Sequence, residues 1–205
     1  MKLTSEEARN ILEKERNAES ERWIEHSINV GNSAGRIAKA LAEKGINIDI
    51  EKTITFGYIH DIGKKYNEHG GVFTHAINGY NYIKELGYDE EYAGICIKHS
   101  FLNNDIDCLA NDRDETDKTN PNYKFFKNYI RNKYSLEEKI INLCDLMCTT
   151  KTLTVEKRMI DLLLRHGIFS KTHYHIEETI KLKDYFDNLL GYNLYDLFPE
   201  IKENL

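Results

Sequence analysis

His60-Asp61-Ile62-Gly63-Lys64 is the stretch whose residue types point most directly to chemistry. An imidazole and a carboxylate, both common metal ligands, stand side by side, and a lysine follows. Neighbours on a helix point about 100° apart, so His60 and Asp61 can reach one ion only where a helix ends and its axis points into a pocket. Gly63 is expected to supply that end through the left-handed conformation that glycine adopts readily. Lys64 would then project just beyond it. Upstream, Ile50, Ile54, Gly57 and Asp61 are spaced 4, 3 and 4 apart, a stripe of apolar or small residues that finishes on a carboxylate. A histidine at an ordinary helix C-terminus is also accounted for by the helix dipole. The stretch therefore does not decide the matter alone.

Other ligand-type residues sit on apolar helical stripes. Trp23, His26, Val30, Ala34, Ile37 and Leu41 follow a 3,4,4,3,4 rhythm, with His26 inside the apolar face of a long helix. His75, Gly79, Tyr82 and Leu86 repeat the arrangement, as do Tyr92, Ile95 and His99. Ile141, Asp145 and Cys148 share a face in a further apolar run. A lone histidine on such a face is an ordinary core residue. An unpaired buried carboxylate costs several kcal/mol and calls for a cation or strong donors. Several helices, each turning one ligand-type residue inward, together with His60-Asp61, fit one buried metal centre.

The ordered set His26, His60-Asp61, Asp145 resembles the H…HD…D signature of the HD superfamily of metal-dependent phosphohydrolases, and His60-Asp61-Ile62-Gly63 resembles its HDIG variant. His75-Ala-Ile-Asn-Gly79 and His99 resemble the branch that binds two metals. That branch includes cyclic-dinucleotide phosphodiesterases and bacterial symmetric diadenosine tetraphosphate hydrolases. The likeness runs from about Trp23 to Thr150. It implies an all-α, single-domain helical bundle of the HD-domain type. It further implies that His26, His60, Asp61 and Asp145 hold one metal, and that His75 and His99 hold a second, with Asp61 bridging. Two ions about 3.5–4 Å apart can share a metal-activated hydroxide and clamp the phosphoryl oxygens. Lys64, with Asp61 the expected catalytic pair, would bind a phosphate oxygen or protonate the leaving group. Nitrogen and oxygen donors suit Fe, Mn, Co, Ni or Zn.

The Gly-Tyr-Pro motif of the cyclic-dinucleotide branch does not follow Lys98-His99-Ser100-Phe101. The expected substrate is therefore a nucleotide phosphoester or phosphoanhydride, with a dinucleoside polyphosphate favoured. The alternatives are a single-metal nucleoside monophosphate phosphatase and, in another class, a non-catalytic metal- or nucleotide-binding regulatory module.

The 205 residues can bury a real core as one domain, and only Pro121 and Pro199 interrupt a largely helical pattern. A net charge of −6 argues against a nucleic-acid polymer as partner, but not against a small phosphorylated substrate whose site holds cations. No apolar run approaches the ~20 residues that span a bilayer. The charged start, Met1-Lys2-Leu3-Thr4-Ser5-Glu6-Glu7, has no signal-peptide core, so a soluble cytoplasmic protein without a membrane partner is expected. Three of the four cysteines, Cys96, Cys108, Cys144 and Cys148, lie in apolar helical runs, and no C-x-x-C occurs. Cys144 and Cys148, at i and i+4, are the remaining possible thiolate pair.

The elements follow in order. Ser5 opens a short helix to about Arg16, and the His26 helix ends near Gly45. Asp49 caps the helix that leads to His60-Asp61. A polar loop with Gly70-Gly71 carries His69, the competitor of His75 as a ligand. Thr74 is expected to cap the His75 helix. Gly87 ends that helix, and Asp89 opens the one that carries His99. Residues 100–120 read as an irregular polar insertion, either a solvated loop or a substrate lid. Lys124, Lys127, Arg131 and Lys133 form a basic group that either meets phosphates or faces solvent. Ser135 to Glu138 is a capping box that starts the Asp145 helix. Thr154 caps a helix that stops at Gly167, with His166 in its last turn. C-terminal helices over 154–198 pack on the ligand core. His173 and His175 are expected at the surface, although His173 and Glu177 have ligand spacing.

Overall fold

Helix boundaries follow the capping chemistry of the sequence. The computed structural model describes residues 1–66, 71–109 and 121–204. It contains α1 (Ser5–Lys14), α2 (Glu21–Glu43), α3 (Ile50–Ile59), α4 (Val72–Glu85), α5 (Glu90–Lys98), α6 (Tyr123–Ile130), α7 (Leu136–Met147), α8 (Val155–His166) and α9 (Thr172–Leu190). Short 3-10 turns cover Ile62–Tyr66, Leu102–Asn104, Leu194–Leu197 and Pro199–Asn204. No strand occurs among the described residues, and the fold is all-α as expected.

Asp49 accepts from the Lys52 amide and Thr154 from the Lys157 amide, while Ser135 and Glu138 close the expected capping box. α1 starts at Ser5 as expected, capped by Thr4, where Glu7 reaches back to the Thr4 amide and completes a capping box. One cap differs from expectation. Gly71, not Thr74, precedes α4, so Thr74 lies within its first turn.

Gly63 corrects the sequence expectation more deeply. Gly45, Gly87 and Gly167 follow α2, α4 and α8 with φ of +80°, +83° and +78°, and Gly63 is not in that conformation. The chain beyond α3 tightens into the 3-10 turn instead. What needs a glycine there is distance: a Cβ on Gly63 would lie 1.9 Å from the His75 carbonyl oxygen and 2.5 Å from the Gly79 nitrogen. Any side chain would push α4 away. A second close approach joins α2 to α3, where a Cβ on Gly57 would lie 2.4 Å from the Gly31 Cα.

Around these crossings, Val30, Ala34, Ile37 and Leu41 of α2 join Phe56, Ile59, Ile141 and Cys144 in the main core. Phe186, Leu190, Leu194, Phe198 and Ile201 belong to the same cluster, so the C-terminal segment packs against the ligand helices. A second cluster gathers Phe73, Ile97, Phe101, Phe126 and Ile130, with the Phe73 and Phe126 rings stacked at 4.4 Å. It also contains Ile106 and Leu109, and Cys108 is buried nearby. The expected polar insertion is therefore packed over its first part, while residues 110–120, on which the lid question turns, lie outside the described residues. No helix among the described residues is long and apolar enough to cross a membrane.

Candidate metal centre

The helix phases bring every expected metal ligand to one place. His26 comes from α2, His60 is the C-cap of α3, and Asp61 follows at the entry to the 3-10 turn. His75 lies near the start of α4, His99 is the C-cap of α5, and Asp145 stands on α7. They form two groups, His26, His60 and Asp145 in one and Asp61, His75 and His99 in the other. His69 lies outside the described residues, and Cys144 and Cys148 belong to neither group.

Backbone contacts aim the rings. His60 Nδ1 is 2.7 Å from the Gly57 carbonyl, His99 Nδ1 is 2.9 Å from the Cys96 carbonyl, and His75 Nδ1 is 3.1 Å from the Gly71 carbonyl. A carbonyl only accepts, so each Nδ1 carries the proton and each neutral ring leaves its Nε2 lone pair bare. The Nε2 atoms converge. His75 Nε2 and His99 Nε2 are 3.4 Å apart, and His60 Nε2 and His26 Nε2 are 3.3 Å apart.

Asp61 divides itself between the groups. Its Oδ1 is 3.4 Å from His75 Nε2 and 3.5 Å from His99 Nε2. Its Oδ2 is 3.5 Å from His60 Nε2 and 3.7 Å from His26 Nε2, and also takes an ion pair from Lys64. Asp145 Oδ1 closes the first group, 3.0 Å from His26 Nε2 and 3.8 Å from His60 Nε2. Asp61 Oδ1 is buried without a hydrogen-bond partner. Two bare imidazole nitrogens facing an orphaned carboxylate oxygen repel one another unless a cation lies between them. The donor set thus fits divalent metal.

The charges agree. Burial would raise the Asp61 carboxyl, but the charges of Lys64 and His60 beside it hold it well below the usual carboxylate range. Burial would likewise raise Asp145, and His26 and His60 hold it well below. Burial lowers His26 despite Asp145, and pushes His75 down to about 3 against the pull of Asp61. Burial also opposes charge on His60, yet Asp61 and Asp145 outweigh it and raise that ring. Ionised carboxylates and neutral imidazoles are the protonation states that ligate metal; the two carboxylates, His26 and His75 lean that way, whereas His60 is drawn toward its charged form by the carboxylates that a cation would neutralise.

The profile of the HD domain family matches residues 23–148, a span that includes all of these ligand positions. The chain belongs to the HD domain family. HD domains are in general metal-dependent phosphohydrolases that bind divalent metals. The chain is also similar to the uncharacterized protein MJ0778 of Methanocaldococcus jannaschii, with 31% identity over 186 residues that cover 90% of this chain and 98% of the relative. No solved structure matches it.

The HD centre opens into a cleft of ≈ 550 Å³ lined by His26, Asp61, His75, His99 and Asp145. A second lobe of ≈ 290 Å³ shares Glu19, Trp23, Lys64 and His75 with it. The cations that line the larger lobe are Arg22, Lys64, Arg158 and Arg165. The basic group expected to meet phosphates, Lys124, Lys127, Arg131 and Lys133, lines neither lobe. These residues lie on or just after α6.

Several residues, most of them outside the matched span, were not expected at the site. Arg158, Leu162 and Arg165 share one face of α8, a spacing legible in the sequence, but charged positions default to solvent. Arg22 lies one turn before His26. Asn142 donates to the carbonyls of Lys98 at 3.0 Å and His99 at 2.6 Å, which fixes the end of α5 where His99 sits. His173 is exposed as expected, but His175 corrects the expectation: it is only 2% exposed. It lines a small alcove of ≈ 80 Å³ together with Val72, Leu102, Leu146, His99 and Asp145. The signal was its phase with Thr179, Phe186 and Leu190, the buried stripe of α9.

Proposed function

We propose that the chain hydrolyses a phosphoester or phosphoanhydride bond of a small nucleotide, with a dinucleoside polyphosphate-like substrate favoured. The observation that carries this reading is the division of Asp61, whose two oxygens each face a separate group of imidazoles. His26, His60, Asp61 and Asp145 would hold one divalent ion, and Asp61, His75 and His99 a second. Such ions supply an acidified water nucleophile and offset charge on phosphoryl oxygens when bound.

The chain's own residues do the rest. Gly57, Cys96 and Gly71 carbonyls fix the imidazole tautomers, so that Nε2 is the ligating atom on His60, His99 and His75. Lys64, 39% exposed at its side chain, lines both lobes and places an ammonium beside Asp61, where it can meet a non-bridging phosphate oxygen. Trp23 lines both lobes as well and offers an aromatic face to a base. Two lobes that share Lys64 and His75 offer room for a substrate that continues beyond its reacting phosphate.

The test is metal-reconstituted protein against a panel of mononucleotides, cyclic dinucleotides and dinucleoside polyphosphates, with metal content measured in parallel. Hydrolysis of a dinucleoside polyphosphate, abolished by chelation, is the expected outcome. Turnover of monophosphates alone with one bound equivalent would move the assignment to the single-metal phosphatase. Metal and nucleotide binding without turnover on any member of the panel would move it to a regulatory module.

A further inference from the structure

Resting on the phosphohydrolase reading, we infer that Arg158, supported by Arg165, forms a second phosphate subsite that holds a phosphate adjacent to the reacting one and so selects substrates with a polyphosphate chain. Arg158 and Arg165 stand two turns apart on the α8 face that lines the cleft. Both lean on one carboxylate: Asp161 Oδ2 accepts from Arg158 at 2.5 Å and from Arg165 at 2.6 Å. Two guanidinium groups therefore share one negative charge, and the pair keeps a net positive charge toward the cleft.

Arg158 is the inner member. Its side chain is only 13% exposed, and its Nε is buried without a hydrogen-bond partner. A largely buried guanidinium whose one carboxylate partner is shared with a second arginine is short of negative charge, and an anion in the cleft that Arg158 lines would supply it. The guanidinium fork matches two oxygens of one phosphate, which an ammonium cannot do. Burial lowers the Arg158 pKa against the pull of Asp145 and Asp161, as expected for a cation short of solvation on this side of the cleft. Lys64 lines the same cleft beside Asp61, while the metal-ligand carboxylate whose charge acts on Arg158 is Asp145. A single phosphate at the metal centre uses Lys64. A chain of phosphates continues toward Arg158.

The test is equilibrium binding by calorimetry to the metal-loaded 205-residue protein, with inorganic tripolyphosphate and orthophosphate as probes. The wild-type protein should bind tripolyphosphate more tightly than orthophosphate. Arg158→Ala should weaken tripolyphosphate by about 10- to 100-fold, the worth of a charge-assisted hydrogen-bonded contact, and change orthophosphate by less than about twofold. Arg158→Lys should recover only part of the loss. Arg165→Ala, at a more exposed position, should show a smaller loss with the same selectivity, and it keeps the test decisive if Arg158→Ala does not fold. Equal loss for both probes, no loss for either, or no preference in the wild-type protein overturns the inference. Because these are binding measurements, selective loss on tripolyphosphate supports the subsite even where no nucleotide is hydrolysed, so the two readings fail separately.

Discussion

Replacing Gly63 with alanine tests whether the second half of the metal centre depends on a backbone contact. The added Cβ would start 1.9 Å from the His75 carbonyl oxygen, and real Cβ contacts essentially never fall below 3.0 Å. The two backbones must therefore separate by about 1 Å, the difference between those distances. Neither neighbour is a flexible side-chain end, since the next atoms met are the Gly79 nitrogen and the His75 carbonyl carbon. Overpacking of this kind costs about 1–3 kcal/mol. The functional effect should exceed the stability effect, because α4 carries His75 and metal–ligand distances tolerate only about 0.2 Å. Gly63→Ala should lose the metal proposed for Asp61, His75 and His99, and keep the one proposed for the α2, α3 and α7 ligands. Gly45→Ala is the control: Gly45 has φ +80° with nothing within 4 Å of its Cβ position, so it should cost about 1–2 kcal/mol through strain alone and keep full metal content. Metal analysis of the purified proteins, with denaturant unfolding alongside, reads both effects. Wild-type stoichiometry in Gly63→Ala, or equal metal loss in Gly45→Ala, would refute the reasoning.

Other outcomes follow from the same geometry. His75→Ala and His99→Ala should each lose the second metal and keep the first, whereas Asp61→Ala should lose both, as metal analysis will show; a His99→Ala protein with unchanged stoichiometry rules out the paired site. Lys64→Ala should keep its metal and lower turnover by about 10²–10³, the usual loss for one positioned electrostatic donor, and near-normal rates would make Lys64 a surface cation. His175 gives a pH signature. Burial sets its folded pKa near 4 against 6.5 unfolded, so from pH 6.5 down to 4 the unfolded chain takes up a proton that the native ring refuses. Stability is lost across that window, by roughly 3 kcal/mol at its acid end. His175→Gln should remove that loss in denaturant titrations at a series of pH values, and parallel curves for the two proteins would place the acid sensitivity elsewhere.

The clustered residues were legible because His26, Asp61, His75, His99 and Asp145 each obey helical phase on a stripe whose other members are apolar or small. Trp23, Val30 and Ile37 locate His26, and the same logic locates His99 and Asp145. Caps were legible for a related reason, since Ser135-Leu-Glu-Glu138 carries both partners of a local contact. Gly63 was misjudged because a glycine needed for φ and a glycine needed for closeness look alike in sequence, and the neighbour that decides between them is the remote α4 backbone. Arg158 escaped because nothing local says that α8 folds over the cleft rather than into solvent. His175 could have been found. Its stripe was present, but proximity to the helix start and to exposed His173 outweighed it.

The glycines on either side of His60-Asp61 have separate duties, and this explains how one carboxylate can serve two groups. Gly57 lets α3 touch α2 at Gly31, which draws His26 toward His60. Gly63 lets the 3-10 turn touch α4 at His75 and Gly79, which draws His75 toward Asp61. Asp61 lies between the two contacts, where the backbone leaves α3 and tightens. On an uninterrupted helix its side chain would point about 100° away from His60 and face one partner helix. At the junction, Oδ2 keeps to the α2 side with His26 and His60, and Oδ1 turns to the α4 and α5 side with His75 and His99. The two halves of the centre are thus held by independent backbone contacts and joined through a single side chain, so damage to one contact need not empty the other half, whereas damage to Asp61 must reach both.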